Sequence, residues 1–372
     1  KKADAATKYR IGSITKMFTA TIIFQLIEEK KLSLDTRLDQ FYPGLPNASK
    51  ITISNLLNHR SGLHNFTDDP AYESYMTQPK SQKEILEIIT KGGTDFEPDS
   101  KGAYSNSNYV VLGYIIEQLL KKPYAEVLKE RITIKAGLKN TYYGSKANAD
   151  KNESLSYAYL GSWKPMPETD MSIPHGAGAI VATPSDLTQF IEALFAGKLV
   201  SATSLEQMKT IKEGYGMGMF TFPFHDKKAY GHNGGIDGFS STLGYFPDDK
   251  LAIAYCTNGQ NYSPNDILIG VLSIYYNKEY ATPSFATVIL STEQLGQYTG
   301  TYSSKDMPLK ITITGSNGTL MAQATGQSAF PLEATGPDQF KFDMAGIIME
   351  FRPQQKEMTL KQGGGTYLFT KE

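Results

Sequence analysis

The chain is predicted to be an α/β protein: helices and then strands up to about residue 280, followed by a small antiparallel β domain. Three observations carry this. Apolar residues recur at helical spacing in the first half, short β runs take over from about residue 227, and no helix-period segment occurs in the last 80 or so residues. At 372 residues the chain has room for about two domains. The boundaries expected are 1–280 for the first domain, with a helical lobe at about 50–175, and 290–372 for the second.

The elements follow in order. A first helix is expected from Ser13 to about Lys30, because Met17, Phe18, Ile22, Ile23, Leu26 and Ile27 share helical spacing, with Ser13 as its N-cap. A second covers about Ser107 to Lys121, striped by Val111, Leu112, Ile115, Ile116 and Leu119. A third opens at Thr183-Pro-Ser-Asp186, where a threonine cap precedes a proline at the first helical position. Strands are expected at Ser240–Phe246 and Leu251–Thr257, and one more helix at Asn265–Tyr276. Residues 277 to 292, with Pro283, read as a linker. Beyond it, Leu309, Ile311 and Ile313 fall on one strand face, and Asn317-Gly318 supplies a hairpin turn. Further runs at Gln339–Asp343, Ile347–Arg352, Met358–Lys361 and Thr366–Thr370 suggest a small barrel or sandwich.

Composition excludes several function classes. With 37 basic and 38 acidic residues the chain has no basic excess of the kind that marks nucleic-acid binding. The one cysteine, Cys256, rules out an intrachain disulfide and a cysteine-based zinc site, and its apolar run predicts a buried structural thiol. No stretch approaches the roughly 18 continuous apolar residues of a membrane span. The histidines lack the spacing of metal-ligand sets, and no metal or cofactor is expected.

The chemistry-bearing feature is Ser13-Ile-Thr-Lys16. Residues three apart share a helix face, so the lysine amine reaches the serine hydroxyl, and a lysine of lowered pKa can act as its base. Read alone, the spacing also fits a capped helix with a solvated lysine. Tyr104-Ser-Asn106 lies just before the second helix, where a phenol can serve as a proton relay; a turn tyrosine beside a helix cap is the plainer reading. Gly231-His-Asn-Gly-Gly235 enters a strand with small residues that let a ligand approach the backbone.

In the order Ser-x-x-Lys, Tyr-x-Asn, His-x-Gly, these segments resemble the penicillin-recognising serine hydrolases, in the branch of class C β-lactamases, DD-carboxypeptidases, D-aminopeptidases and β-lactamase-like esterases. The resemblance extends through Leu56-Leu-Asn-His-Arg-Ser-Gly-Leu63, Thr183-Pro-Ser-Asp-Leu187 and Tyr215-Gly-Met-Gly218, and covers Tyr9 to about Gly259. It implies an antiparallel sheet flanked by helices, with an all-helical lobe. By the same resemblance Ser13 is the acylated nucleophile, Lys16 its proton acceptor and Tyr104 the phenol or phenolate that shuttles protons. Asn106 contacts the substrate amide, Asn233 and Gly234 line the binding strand, and the N–H groups of Ser13 and Gly235 form the oxyanion hole. His232 supplies a polar or cationic wall.

Two departures bear on substrate. His232-Asn-Gly234 stands where class C β-lactamases carry Lys-Thr-Gly, which implies weak β-lactam turnover. Phe220 follows Tyr215-Gly-Met-Gly-Met219 where His-Thr-Gly carboxypeptidases carry an arginine, so Phe220, Phe222 and Phe224 make either an apolar rim or plain strand core. The expected activity is cleavage of a D-amino-acid peptide or small ester through an acyl-enzyme. The alternative is a penicillin- or peptide-binding sensor that acylates with little turnover.

Tyr298-Thr-Gly-Thr-Tyr302 resembles the opening of the lipocalin-like barrel appended to several such hydrolases, where it restricts substrate size or joins subunits; a homo-oligomer is one expectation. Family members also place a helix and two strands before Ser-x-x-Lys, whereas Ser13 follows only twelve residues. The resemblance therefore implies missing N-terminal strands, an exposed sheet edge and apolar face, and a periplasmic or secreted setting.

Overall fold

The computed structural model describes residues 2–160, 162–280, 290–305, 307, 309–316, 318–327, 329–342, 345–362 and 365–372. Its contacts gather Lys1–Tyr159 with Trp163–Gln260 into one compact unit, and Leu160–Ser162 with Asn261–Glu372 into another.

The first unit is built around helix α1 (Thr15–Glu28), whose residues are buried from Thr15 to Leu26. Such a helix needs apolar or satisfied side chains on every face, which is why Thr19 donates to the Gly176 carbonyl (2.6 Å) and Thr21 to that of Met17 (2.7 Å). Its expected start is corrected. Gly12–Ile14 forms one turn of 3₁₀ helix, α1 begins at Thr15, and no side chain caps it. The Ser13 hydroxyl is engaged elsewhere and takes no capping role. Packed against α1 are α2 (Asn106–Leu120) and the single turn α3 (His175–Gly178). The lobe between residues 50 and 175 adds short helices, among them Ile53–Leu57 and Gln82–Gly92, each closed by a capping box.

Helix α4 (Pro184–Phe195) begins as its sequence requires: Thr183 Oγ1 accepts from the Asp186 N–H at 3.2 Å, with proline just inside. It packs on an antiparallel sheet of four strands in chain order, β1 (Phe220–Phe224), β2 (Lys227–Ile236), β3 (Phe239–Phe246) and β4 (Leu251–Thr257). Strand β4 is an edge of that sheet, and every residue in it is only half-buried. Cys256 shares that half-buried state and packs against the core, and burial still pushes its thiol pKa up to about 12, so the expected buried thiol is met only in part.

A second small sheet places Ile180–Ala182 between Tyr9–Arg10 and Tyr142–Tyr143. It anchors the turn that follows Arg10, since Ile11 N–H donates to the Ile180 carbonyl at 3.0 Å and Ile180 N–H to Thr15 Oγ1 at 3.1 Å.

In the second unit, helix α5 (Pro264–Tyr275) is capped by Ser263 and leaves Ile269, Val271, Ile274 and Tyr275 exposed. The alternating runs that follow form a closed antiparallel barrel of eight strands: β5 (Gly300–Ser303), β6 (Lys310–Ser316), β7 (Thr319–Ala324), β8 (Phe330–Gly336), β9 (Gln339–Phe342), β10 (Ile347–Arg352), β11 (Glu357–Gln362) and β12 (Gly365–Lys371). Tyr302 opposite Lys371 and Ser303 opposite Thr370 close it. Of the two architectures expected, barrel or sandwich, the barrel is found. Buried side chains such as Ile311, Ile313, Phe340, Met349 and Phe369 fill its interior, as eight strands dictate. Pro283, Asn317 and Asp343, part of the expected linker, hairpin turn and strand, lie outside the described residues.

Candidate active site

Two glycines bring the elements of the site together. Gly12 has φ +49°, a left-handed conformation, and a β-carbon there would stand 2.7 to 2.9 Å from the backbone of Gly235. A β-carbon on Gly234 would overlap the Ile11 carbonyl oxygen. The turn carrying Ser13 therefore lies directly on β2, and Ser241 Oγ locks it by donating to that Ile11 carbonyl at 2.9 Å. Beyond the pair Phe220 and Gly231, β1 no longer runs beside β2, which leaves residues 232–236 with β3 on one side.

Ser13 Oγ lies 2.9 Å from Lys16 Nζ and accepts from Tyr104 OH at 2.7 Å. Lys16 is fully buried. Its nitrogen reaches two further oxygens, Asn106 Oδ1 at 2.7 Å and the Ala177 carbonyl at 2.9 Å. Both are acceptors only, so they consume two N–H bonds and leave the third position of the nitrogen aimed at Ser13. Burial holds the Lys16 pKa well below the usual lysine value. A neutral amine in this frame presents its lone pair to the serine hydroxyl.

The orientation of Asn106 is set from behind. Its Nδ2 donates to Thr67 Oγ1 at 3.0 Å and its backbone N–H to Asn65 Oδ1 at 2.8 Å, so Oδ1 is the end facing Lys16. Nδ2 carries a second N–H besides the one given to Thr67, and Asn106 lines the pocket, which leaves that N–H for the expected contact with a substrate amide. Thr67 and the Ala177 carbonyl were not anticipated, and a backbone carbonyl has no residue signature to find.

Tyr104 is a phenol in the resting site, because burial pushes its pKa far above the ordinary tyrosine value. Of the two forms expected, phenol or phenolate, the geometry fits the first: the hydroxyl donates to Ser13. His232 is buried, and its Nδ1–H donates to the Asn233 carbonyl. Burial, with Lys16 nearby, holds its pKa down to about 3. Of the polar or cationic wall expected, the polar, neutral imidazole fits. Phe220 packs on that ring at 4.3 Å and reaches Tyr104 at 6.3 Å, whereas Phe224 turns into the core. Asn233 is exposed, on the opposite face of β2 from His232.

A pocket of about 290 Å³ opens beside Ser13. Ser13, Gly12 and Gly235 form its base, and Tyr72, Met76, Met166 and Ile236 give it apolar walls. Its one carboxylate, Asp237, is spent: Arg10 donates to Oδ2 at 2.9 Å, and Thr169 donates to Oδ1 through N–H and hydroxyl. No lysine, arginine or histidine is among the described lining residues. No group of metal-binding side chains is found among the described residues either.

A sequence model described as beta-lactamase matches residues 1–270. The chain belongs to the beta-lactamase family. Among relatives in the family, a Bacillus subtilis protein named for penicillin binding, PbpX, is 29% identical over 258 residues; these cover 68% of this chain and 63% of that relative, so the chain spans less than two thirds of its length. Penicillin-binding protein 4* of the same organism is 25% identical over 92% of this chain and 82% of its own. A teichoic acid D-alanine hydrolase of Staphylococcus aureus is 26% identical over 70% of this chain and 66% of its own. Solved beta-lactamase-fold structures include the D-amino acid amidase of Ochrobactrum anthropi complexed with D-phenylalanine, 27% identical with a TM-score of 0.66 over 74% of this chain and 86% of that one. An octameric penicillin-binding protein homologue from Pyrococcus abyssi matches 98% of this chain and 88% of its own with a TM-score of 0.66 at 24% identity, a likeness of fold.

Proposed function

We propose that the protein is a serine hydrolase that cleaves amide or ester bonds of D-amino-acid derivatives without a free carboxylate, through an acyl-enzyme on Ser13. One observation carries the reading: Ser13 Oγ sits between the Lys16 amine at 2.9 Å and the Tyr104 hydroxyl at 2.7 Å. Ser13 Oγ attacks the substrate carbonyl and its proton passes to Lys16 Nζ. The oxyanion forms beside the N–H groups of Ser13 and Gly235, where loss of one donor costs about 2.7–4 kcal/mol. Tyr104 gives its proton to the departing amine or alcohol and is left as the phenolate. It then takes a proton from the water that attacks the ester, and Lys16 returns its proton to Ser13 Oγ as the acyl group leaves.

The substrate class rests on the pocket and the relatives. Apolar walls and a neutralised Asp237 suit an apolar acyl group, and a neutral His232 offers a substrate carboxylate no counter-charge. A carboxypeptidase or an efficient β-lactamase would need one. The names of the relatives include a D-amino acid amidase, a D-stereospecific amidohydrolase and a D-alanine hydrolase, which supports the D-configured acyl group. Names that refer to penicillin binding favour a second reading, in which acylation is followed by little release.

Pre-steady-state and steady-state release from D-phenylalanyl p-nitroanilide, p-nitrophenyl esters and a chromogenic cephalosporin separates the two. Many turnovers on the first two and slow release from the third are expected. A burst of one equivalent with nothing after it, on all three, selects the sensor.

A further inference from the structure

His59 is buried among the aromatic rings of the site and takes no part in the proton transfers above. It has φ +58°, a left-handed conformation that a β-substituted residue adopts at a cost. That backbone turn aims its carbonyl at the loop before α2, where it accepts from Ala103 N–H at 2.9 Å. Its side chain turns to the same loop, and Nδ1 accepts from Ser105 N–H at 3.1 Å. The two amides on either side of Tyr104 are thus held by one residue. The imidazole also stacks on the Tyr104 ring, with centroids 4.5 Å apart and planes 29° from parallel. Tyr109 at 5.3 Å and Tyr215 at 5.2 Å hold the imidazole itself.

The hydrogen bonding also settles the tautomer. Ser105 N–H and, at 3.5 Å, Asn108 Nδ2 both approach Nδ1, and two donors at one nitrogen need its lone pair. The ring is neutral, with its proton on Nε2. Burial, Lys16 and His232 all hold it in that form.

We propose that His59 is a positioning residue for acyl transfer: it fixes the Tyr104 hydroxyl on Ser13 by gripping the backbone on both sides of the tyrosine and stacking on its ring. The inference rests on the role given to Tyr104 above. A displacement of about 1 Å in such a group is enough to cost around 10²-fold in rate. The cost appears in kcat, because His59 does not line the substrate pocket.

A double-mutant cycle on p-nitrophenyl ester hydrolysis tests this, with His59→Phe, Tyr104→Phe and the pair. Phenylalanine keeps a ring and removes the Nδ1 acceptor. His59→Phe is expected to lower kcat about 10²-fold with KM within twofold, and to lower it no further once Tyr104 is phenylalanine. His59→Asn, which tolerates the left-handed backbone and offers an acceptor near the Nδ1 position, is expected to recover at least tenfold over His59→Phe; it replaces His59→Phe in the cycle if that variant does not fold. An unchanged kcat in the His59 variant, or an equal loss with and without Tyr104, overturns the role of His59. Full kcat in Tyr104→Phe alone instead overturns the site reading beneath it.

Discussion

Asn106 Oδ1 lies 2.7 Å from Lys16 Nζ and cannot exchange places with its amide end, because Nδ2 is committed to Thr67 at 3.0 Å. A neutral oxygen is thus fixed against the amine, helping to orient it without adding the negative charge that would favour the ammonium form.

Asn106→Asp tests that arrangement. A carboxylate at the same distance stabilises the ammonium, so the Lys16 pKa rises and the acid limb of kcat/KM moves about 1–3 pH units higher. Each unit removes about 90% of the active amine at a fixed pH below the limb. Activity at a fixed pH on the acid limb should fall about tenfold or more and recover as pH is raised. A lower plateau with no movement of the limb would contradict the role given to Asn106.

In the wild type the sign follows from two opposite shifts. The base acts as the amine, and burial puts the Lys16 pKa well below the ordinary lysine value of 10.5, so activity falls as pH drops through that lowered value. Tyr104 acts as the phenol, and burial raises its pKa above 10.0, so no loss from it is expected below about pH 10. Lys16→Arg puts a permanent cation in place of the base, since a guanidinium does not deprotonate in proteins. It should lose about 10²–10⁴ in kcat at every pH from 6 to 10. Activity returning at high pH would argue against Lys16 as the proton acceptor.

His232 adds no limb of its own near neutrality, because its pKa is held down to about 3. His232→Asn, which retains an N–H donor, should leave the acid limb where it stands whatever it does to the plateau. A limb that moves by more than half a pH unit would assign the titration to the imidazole.

Gly234→Ala presses a methyl group into the Ile11 carbonyl and shifts the turn that presents Ser13. Overpacking of this kind costs about 1–3 kcal/mol, and the displaced nucleophile should lower kcat about 10²-fold. Thermal melting and ester turnover measure the two effects. Unchanged kcat would mean that β2 does not set the position of Ser13.

The members of the Ser13 cluster were legible as short motifs, with Ser13 and Lys16 three apart and Tyr104 and Asn106 at the start of α2, and the resemblance carried by their order is what joined them. Helix α4 was legible down to its cap, since Thr183 and Pro184 act only on their own first turn. What distance along the chain brings together was not. The Ala177 carbonyl reaches Lys16 across 161 positions, and barrel closure pairs Tyr302 with Lys371. The sequence left the charge of His232 open between polar and cationic, because burial, not residue type, sets it. Ser13 looked like a helix cap because serine favours that position, but Lys16 and Tyr104 claim its hydroxyl. Cys256 looked buried from its apolar neighbours, yet β4 is an edge strand.

The central claim is that Ser13 carries the acyl group, and peptide mass spectrometry of protein acid-quenched during turnover of a p-nitrophenyl ester measures it directly. The account predicts one acyl adduct, on the peptide containing Ser13, and no adduct or turnover in Ser13→Ala. An adduct on another residue, or undiminished turnover in Ser13→Ala, would contradict it.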